Sequence, residues 1–306
     1  MLRGVGRGRR HALSAALAAL VLGVMSPSPA SAADPRQTRA LYADSHSSAA
    51  VRGGAYAALG SVPQALWLGV ATPRAVRREL RAYVRRAVAR RRTPQVVLYA
   101  IPDRDCAGGG WSNATAYLRW VKVVASVLRG RRAIAVVEPD ALAMSEQCGG
   151  DARLALLGAA ARILAGSGTW VYLDAGHSNW VSADATAAKL RQAGIAYARG
   201  FSLNVANFRP TAEVRLYGET VVAALGVLAL PDKHFVIDTS RNGAVPLDAQ
   251  WCNPPWARVG QRPVMLRTGS LDGLLWVKHP GETDGACNSG PASGWSDLLA
   301  DRLLGR

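Results

Sequence analysis

Two apolar runs in the middle of the chain each lead to an acidic residue. The run VVLYAIPDRDC reaches Asp105, and the run AIAVVEPDALAM reaches Asp140. Four or more consecutive apolar residues indicate a buried strand, and the proline after each run ends that strand before the acid. Both aspartates are therefore predicted to lie just beyond the end of a strand.

The segment between the two acids is predicted to be a helix. Its sequence, WSNATAYLRWVKVVASVLRG, places apolar residues at helical spacing: Tyr117, Trp120, Val124 and Leu128. A strand, a helix and a strand form a βαβ unit, whose two strands are parallel and open on the same side. The two acids then share one rim, which makes them a candidate acid/base pair.

Each of these acids also has a purely structural interpretation. Asp140 would cap a helix that starts at Ala141, and Asp105 would pair with the neighbouring Arg104. Further polar residues, however, follow the other predicted strands: Asp174 with His177, Asn204 with Asn207, Asp238 with Arg241, and Lys278 with Glu282 and Asp284. Because the carboxyl ends of the strands form the catalytic rim of βα barrels, this distribution favours a functional site.

The strand candidates alternate with helical patterns along the chain. They span residues 65–70, 95–101, 133–139, 169–175, 200–206, 234–239 and 273–278. This alternation predicts an α/β fold in which a parallel sheet of about seven strands is wrapped by helices as a barrel or near-barrel. The turn-rich segment 240–270 interrupts the pattern, and a long ordered loop of this kind is usually functional.

The beginning of the chain has the pattern of a secretory signal peptide. Four arginines precede the apolar run ALSAALAALVLGV, which is too short to span a bilayer, and a small-residue site ends at Ala32. We expect cleavage after Ala32, a secreted product and one domain over residues 33–306 without a membrane segment. The pair Arg9 and Arg10 leaves the export route open.

The chain is strongly basic. It carries 37 lysine and arginine residues against 21 acidic ones, and four of the arginines lie in the predicted signal, so the net charge of +16 becomes +12 after cleavage. Much of the charge lies in RAVRRELRAYVRRAVARRR, a predicted helix with Val76, Leu80, Val84 and Val88 on one face. The solvated back of a helix explains it better than a nucleic-acid surface, and no nucleic-acid partner is expected.

Four cysteines in an exported chain predict two disulfides, for which three pairings are possible. The simplest pairing joins neighbours, Cys106 with Cys148 and Cys252 with Cys287. The first of these bridges would link the two loops that carry the acids. No CxxC spacing or His/Cys cluster indicates a metal site, and no cofactor is expected.

The chemistry that this rim favours is the cleavage of a neutral sugar polymer. Indole faces stack on pyranose rings, and carboxyl groups supply the proton transfers of glycosidic cleavage. The tryptophans near the predicted rim are Trp111, Trp180, Trp251 and Trp256. A serine hydrolase is disfavoured because there is no GxSxG elbow, and a nucleotide enzyme because there is no Walker or dinucleotide motif.

The chain contains, in order, the motifs VLYAIPDRDC, VVEPDALA, LDAGHSNW, NVANF, DTSRNG, WCNP and WVKHPGETDG. In this order they closely resemble the motifs of glycoside hydrolase family 6, the inverting cellulases. The resemblance runs from LYADSHSSAA to the last predicted helix, which is essentially the whole mature chain. It implies a distorted barrel, a β-1,4-glucan or cello-oligosaccharide as the partner, and the disulfides Cys106 to Cys148 and Cys252 to Cys287.

The resemblance also implies catalytic roles for four aspartates. Asp140 would be the general acid that protonates the leaving oxygen, and Asp105 would raise its pKa and help to arrange the water. Asp284 would be the general base, although a base that acts through a water chain is also argued for the family. Asp174 would stabilise positive charge on the sugar ring. In an inverting enzyme the acid and the base stand roughly 6.5 to 9.5 Å apart.

A substrate-binding set follows from the same resemblance. Tyr99 would press on the distorted sugar next to the scissile bond. The residues that would hold the glucan chain by hydrogen bonds and stacking are His177, Trp180, Asn204, Trp251, Lys278 and Glu282. Structural alternatives are Trp180 in the core, His177 as a buried imidazole, and Lys278 as a partner of Glu282.

Three features depart from the family pattern. Val51 and Arg52 stand where a sugar-stacking tryptophan is common, and Ala100 stands where a polar residue is frequent. The serine that would hold the catalytic water is Ser112, which is shifted within a compact loop. None of these departures removes a proposed catalytic acid.

Short loops predict an open groove and internal cleavage. Only AVPLDAQ separates DTSRNG from WCNP, and the segment from Cys287 to Gly294 is short, whereas exo-acting relatives have long loops that form a tunnel. The expected protein is a secreted, monomeric endo-β-1,4-glucanase. The alternatives are an exo-acting cellobiohydrolase of the same family, a glucan-binding protein with little turnover, and an arginine-rich binder of anionic polymers.

Overall fold

A computed structural model of the chain describes Met1, Gly4 and residues 34–37 and 40–306. The predicted signal peptide and its cleavage site lie outside the described residues. The compact unit described below is Ala33–Arg306. Among the described residues, the helices are all too short or too polar to cross a bilayer.

Eight strands form one sheet in the order β1-β2-β3-β4-β5-β6-β8-β7. They are β1 (Leu66–Leu68), β2 (Gln95–Leu98), β3 (Ile134–Val137), β4 (Trp170–Asp174), β5 (Gly200–Leu203), β6 (His234–Asp238), β7 (Val264–Met265) and β8 (Leu271–Leu275). The seven predicted strands are all present, in parallel and in sequence order. The eighth, β7, is antiparallel to β8; it was not predicted, because two residues carry no periodic signal.

The sheet curls until its two sides approach each other. Ala65 N, just before β1, donates to Trp276 O, just after β8, at 3.1 Å. Trp67 Nε1 in β1 donates to Val277 O at 2.7 Å. The predicted α/β fold with a distorted parallel barrel is therefore confirmed.

Eight helices surround the sheet in the described part of the chain. They are α1 (Ser48–Arg52), α2 (Ala57–Gly60), α3 (Pro73–Ala89), α4 (Ala114–Leu128), α5 (Gly150–Ala165), α6 (Ala183–Gln192), α7 (Thr211–Val227) and α8 (Asp297–Leu304). Local sequence explains where several of them begin. The side chains of Thr72, Asn113 and Ser182 accept an N–H of the first turn of α3, α4 and α6, which satisfies donors that a helix start leaves free.

The four apolar residues predicted to line one face of α4 are all fully buried. The corresponding prediction for α3 fails at its last position, because Val88 is 40% exposed while Val76, Leu80 and Val84 are buried. Each step of four residues rotates by about 40° beyond a full turn, so Val88 lies about 120° from Val76 around the helix.

Successive residues of the strands enter different hydrophobic clusters. On β2, Val96 and Leu98 pack toward the helices, whereas Val97 packs inside the barrel. On β3, Val137 packs toward the helices and Val136 packs inside the barrel. Both faces of the sheet are thus buried, which is why these strands read as continuous apolar runs and not as alternating ones.

A charged network closes the barrel at the amino ends of the strands. Asp272 is fully buried, and its carboxylate lies 2.9 Å from Arg199 Nε and 3.0 Å from His234 Nδ1. Tyr172 Oη donates to it at 2.6 Å. Burial raises the pKa of Asp272, but these partners outweigh burial and hold the pKa below its ordinary value.

We expect Asp272→Ala to lower the free energy of unfolding by about 3 to 5 kcal/mol, because it leaves its cationic partners without a counter-charge. Urea denaturation followed by tryptophan fluorescence measures the change. Glu219→Ala is the control: it removes an exposed ion pair with Arg215, which should cost less than about 1 kcal/mol. A loss for Asp272→Ala no larger than that of the control would contradict the prediction.

Candidate active site

Two side chains hold Asp105 in the loop after β2. Tyr99 Oη donates to Asp105 Oδ1 at 2.6 Å, and Arg104 Nε donates to Oδ2 at 3.1 Å. The Arg104 guanidinium also lies over the Tyr99 ring, 4.3 Å from its centroid. The pairing with Arg104 is therefore present, yet Asp105 remains exposed at the carboxyl end of the sheet.

Asp140 lies just beyond the carboxyl end of β3. Its φ of +70° turns the chain sharply, and its N–H donates to Asp174 Oδ1, at the end of β4, at 2.9 Å. The interpretation of Asp140 as a helix cap is wrong, since a short 3-10 turn follows at Ala143–Glu146 with Leu142 at its N-cap position.

The three acids at neighbouring strand ends influence one another. Burial raises the pKa of Asp140, and the negative charge of Asp105 raises it further. Burial and the charge of Asp140 also raise the pKa of Asp174. Asp174, however, accepts hydrogen bonds from the N–H groups of Asp140 and Gly176 and from Ser202 Oγ. These three donors favour the ionised form of Asp174 and so oppose the rise in its pKa.

The two disulfides have the predicted pairing. Cys106 with Cys148 joins the loop that carries Asp105 to the segment beyond Asp140. Cys252 with Cys287 ties the turn-rich segment to the loop after β8. Each bridge therefore fixes a pair of loops at the rim.

Arg153, on α5, connects the first pair of loops a second time. It is 5% exposed, and it donates to Asp103 O and to Cys148 O, each at 2.8 Å. The sequence did not reveal this role, because an arginine on an amphipathic helix is ordinarily solvated.

Glu138, in the EPD motif, was not selected from the sequence and is fully buried beneath the rim. Its Oε2 accepts the N–H groups of Ala100 and Ile101 at 2.8 and 2.9 Å. Burial raises the pKa of Glu138 to about 7, while the two N–H groups and the Tyr117 hydroxyl oppose the shift. Glu138 thus ties the start of the Asp140 loop to the start of the Asp105 loop.

Asp284 lies in a cationic environment after β8. Its carboxylate is 2.7 Å from Arg241 Nη1 and 3.2 Å from Lys278 Nζ, and it accepts the N–H of Asn253 at 3.1 Å. Burial raises the pKa of Asp284, but Arg241 and Lys278 outweigh burial, and the net pKa is lowered. Lys278 is therefore a partner of Asp284, and the suggested pairing with Glu282 is replaced by this one.

Glu282 is bound by other partners. Ser48 Oγ donates to its Oε1 at 2.5 Å, and His279 Nδ1 lies 3.0 Å from the same atom. Burial raises the pKa of Glu282, but His279 and Ser48 lower it to about 2. The carboxylate is thus ionised and held in a fixed orientation.

Asn204 is fully buried, so the structure does not bring it to an accessible surface. Its Nδ2 donates to Asp238 O at 3.0 Å, and its Oδ1 accepts the N–H of Arg209 at 3.1 Å. The predicted sugar contact does not fit this burial. Asn204 instead fixes the main chain between β5 and α7.

The aromatic side chains differ in exposure. Trp251 is 66% exposed, and Trp180, at 38%, lies outside the core, with its ring centroid 5.5 Å from that of His177. Burial and the charge of Arg209 lower the pKa of His177 to about 4, which keeps the imidazole neutral. Trp111 and Trp256 are partly buried.

Ser112 is exposed and adjoins the N-cap residue of α4, Asn113, whose Nδ2 donates to Ser112 Oγ at 3.2 Å.

Nothing in the described residues groups three or more His, Cys, Asp or Glu side chains as a metal site would require. A barrel whose carboxyl-end rim bears carboxyl groups beside open indole faces is the arrangement of a glycoside hydrolase.

The sequence model of Glycosyl hydrolases family 6 matches residues 25–297, and the chain belongs to this family. Endoglucanase A of Cellulomonas fimi is 45% identical over 246 residues, which are 78% of this chain and 53% of that protein. Endoglucanase 1 of Streptomyces halstedii is 37% identical over 310 residues, or 94% of this chain and 95% of that protein. The chain thus spans about half the length of the first relative and nearly all of the second.

A solved structure has the same fold. It is the endoglucanase Cel6 from Mycobacterium tuberculosis in complex with methyl-cellobiosyl-4-deoxy-4-thio-β-D-cellobioside. It superposes with a TM-score of 0.83 at 39% identity, over 89% of this chain and 99% of that one.

We expect Glu138→Gln to remove a pH dependence of stability. The wild-type side chain keeps its proton up to a pKa of about 7 in the folded state, whereas the unfolded chain releases it near the ordinary 4.5. The folded state then binds more protons between these values, so this group makes stability fall as pH rises through that window. Glutamine can accept the same two N–H groups but does not titrate.

The free energy of unfolding of both proteins, measured in urea between pH 4 and pH 8, checks this expectation. As pH rises, the free energy of unfolding of the wild type should fall relative to that of Glu138→Gln. Glu138→Ala, which leaves the N–H groups of Ala100 and Ile101 unpaired, should be destabilised at every pH. If the free energies of unfolding of wild type and Glu138→Gln change with pH in parallel, the raised pKa of Glu138 is contradicted.

Proposed function

We propose that the chain is a secreted endo-β-1,4-glucanase that hydrolyses internal bonds of β-1,4-glucan with inversion. The observation that carries the proposal is the position of Asp140, whose half-buried carboxyl lies at the rim near Asp105 and Asp174 with a raised pKa. A carboxylic acid that retains its proton is what a leaving glycosidic oxygen needs. The endoglucanase names of the relatives support the same reaction.

In the proposed reaction, Asp140 donates its proton to the glycosidic oxygen as the bond from that oxygen to the anomeric carbon breaks. The carboxylate of Asp174 stabilises the positive charge that develops on the sugar ring, while Asp105 raises the pKa of Asp140 and helps to arrange the water. Water attacks the anomeric carbon from the opposite face, which inverts its configuration, and the water proton passes to a base. Solvent then restores the proton of Asp140.

We assign the base to Asp284, acting directly or through water. Arg241 and Lys278 keep its carboxylate ionised, as a base requires. The same cations lower its affinity for a proton. They therefore favour a role in which Asp284 receives the proton only as the attacking water loses it, and passes it on to solvent.

The glucan chain would lie across the rim on open aromatic faces. Trp251 and Trp180 offer exposed indoles, and neutral His177 lies beside the second of them. Tyr99 would contact the distorted sugar, since its hydroxyl already touches Asp105. The charged groups that would hydrogen-bond the chain are Lys278 and Glu282, and Ser112 would position the water.

The proposed mode of attack is internal cleavage in an open groove. Val245 and Leu247, in the segment between β6 and β7, are 75% and 78% exposed, as expected of a loop that lies beside a groove and does not cover it. The exposed Val51, 73% accessible, stands where a stacking tryptophan would add binding energy. Its presence favours the alternative of a weakly acting glucan binder, which stable binding of cellohexaose without product would reveal.

We infer secretion and a monomeric state from the predicted signal and the single catalytic domain. N-terminal sequencing of protein recovered from the culture medium tests the first, and a chain that begins at Met1 there would contradict it. Sedimentation of the mature chain tests the second.

We expect Asp140→Ala to abolish the hydrolysis of carboxymethyl cellulose and barley β-glucan, because no other group protonates the leaving oxygen. Viscosity and reducing ends, measured together, check the activity and its mode. In the wild type, viscosity should fall steeply while few ends appear. Equal progress of both quantities would indicate attack from chain ends, and unchanged activity in Asp140→Ala would refute the role of the acid.

We expect Asp105→Asn to shift the alkaline limb of the kcat/KM profile to lower pH. Removing the negative charge lowers the pKa of Asp140, so the acid loses its proton at a lower pH than in the wild type. The limb is measured on a soluble cello-oligosaccharide. Asp103→Asn is the matched control, since it removes an exposed charge two residues away and should leave the limb in place. A shift of equal size in both variants would contradict the prediction.

A further inference from the structure

A cavity of about 650 Å³ opens at the amino ends of the strands, away from the rim that carries Asp140. One wall is formed by Ala40 to Ala43, where Leu41 bridges Thr93 just ahead of β2. Pro63, before β1, and β7 form the other walls. A volume of this size is within the range of sites for small ligands, roughly 300 to 1,000 Å³.

Four arginines line this cavity: Arg36, Arg90, Arg92 and Arg267. Aspartate and glutamate are absent from the described residues that line it. Arg36 is paired with Asp34 at 2.6 Å, and the Arg90 guanidinium lies over the Tyr42 ring, 5.9 Å from its centroid. The side chains of Arg92 and Arg267 form no ion pair or hydrogen bond with any described residue, so their guanidinium groups are available to a ligand.

We propose that this cavity binds a multiply charged oxyanion, one that bears several phosphate or carboxylate groups on a small body. Guanidinium groups pair with both kinds of group through two parallel hydrogen bonds. Among the described residues, Arg90, Arg92 and Arg267 have no acidic partner, and a bound anion would relieve the repulsion between their like charges. The apolar parts of Leu41, Pro63 and Met265 in the wall would contact the body of the ligand.

Overall basic charge does not by itself explain the cavity. Helix α3 carries exposed arginines outside it, among them Arg81 and Arg85, which do not line this cavity. A non-specific attraction would involve these arginines as much as the cavity residues. The two sets therefore make a matched comparison at equal net charge.

The test is isothermal titration calorimetry of the mature chain with tripolyphosphate and, separately, with citrate, at physiological salt. We expect saturable binding to the wild type by at least one of the two. The double variant Arg92→Ala with Arg267→Ala should weaken that binding by about tenfold or more, because two charge-assisted contacts are lost. The double variant Arg81→Ala with Arg85→Ala should bind as the wild type does.

The tighter of the two ligands identifies the recognised group as phosphate or carboxylate. Circular dichroism of both double variants checks that they are folded. Equal weakening in the two double variants would overturn the proposal in favour of non-specific attraction. The absence of saturable binding to the wild type by either probe would also overturn it.

Discussion

The hydrogen bond from Asp140 N–H to Asp174 Oδ1 is the contact on which the rim depends. It joins the loop after β3 to the end of β4 and places half-buried Asp140 beside fully buried Asp174. Because the same Asp174 carboxylate accepts two further hydrogen bonds, it takes the ionised form. For Asp140, burial and the charge of Asp105 both raise the pKa.

Buried carboxylates tie main-chain segments together at several other strand ends. Glu138 binds two N–H groups of the loop after β2. Asp238 binds four, from Ala206, Ser240, Val277 and Lys278, and so connects the ends of β5, β6 and β8. Residues that follow several strands, such as Asp140 and Ala206, have positive φ, so their N–H groups do not pair within the sheet. Acidic side chains accept hydrogen bonds from these N–H groups where water cannot reach them. The rim is consequently a rigid platform for side chains that act on a ligand.

The acids of the rim fall into two electrostatic groups. Around Asp140 the neighbours are acidic, and burial and the charge of Asp105 raise the pKa. Around Asp284 and Glu282 the neighbours are Arg241, Lys278 and His279, and the pKa of each acid is lowered. The pKa values of carboxyl groups within one rim are thereby shifted in opposite directions.

The sequence by itself determined the order of the strands, the α/β class and the placement of Asp105, Asp140 and Asp174 at or just beyond strand ends, because buried parallel strands read as apolar runs that proline and acids end. Cysteine count and neighbour spacing suggested the disulfides. Only the tertiary structure decided which polar residues reach the surface and which serve the backbone. Asn204 and Glu138 follow strands in the same way as the rim acids, yet both are buried by main chain that is distant in sequence. Partners and burial of this kind arise when separate loops meet, so no local pattern encodes them, and the same holds for the arginine-lined cavity at the opposite end of the barrel.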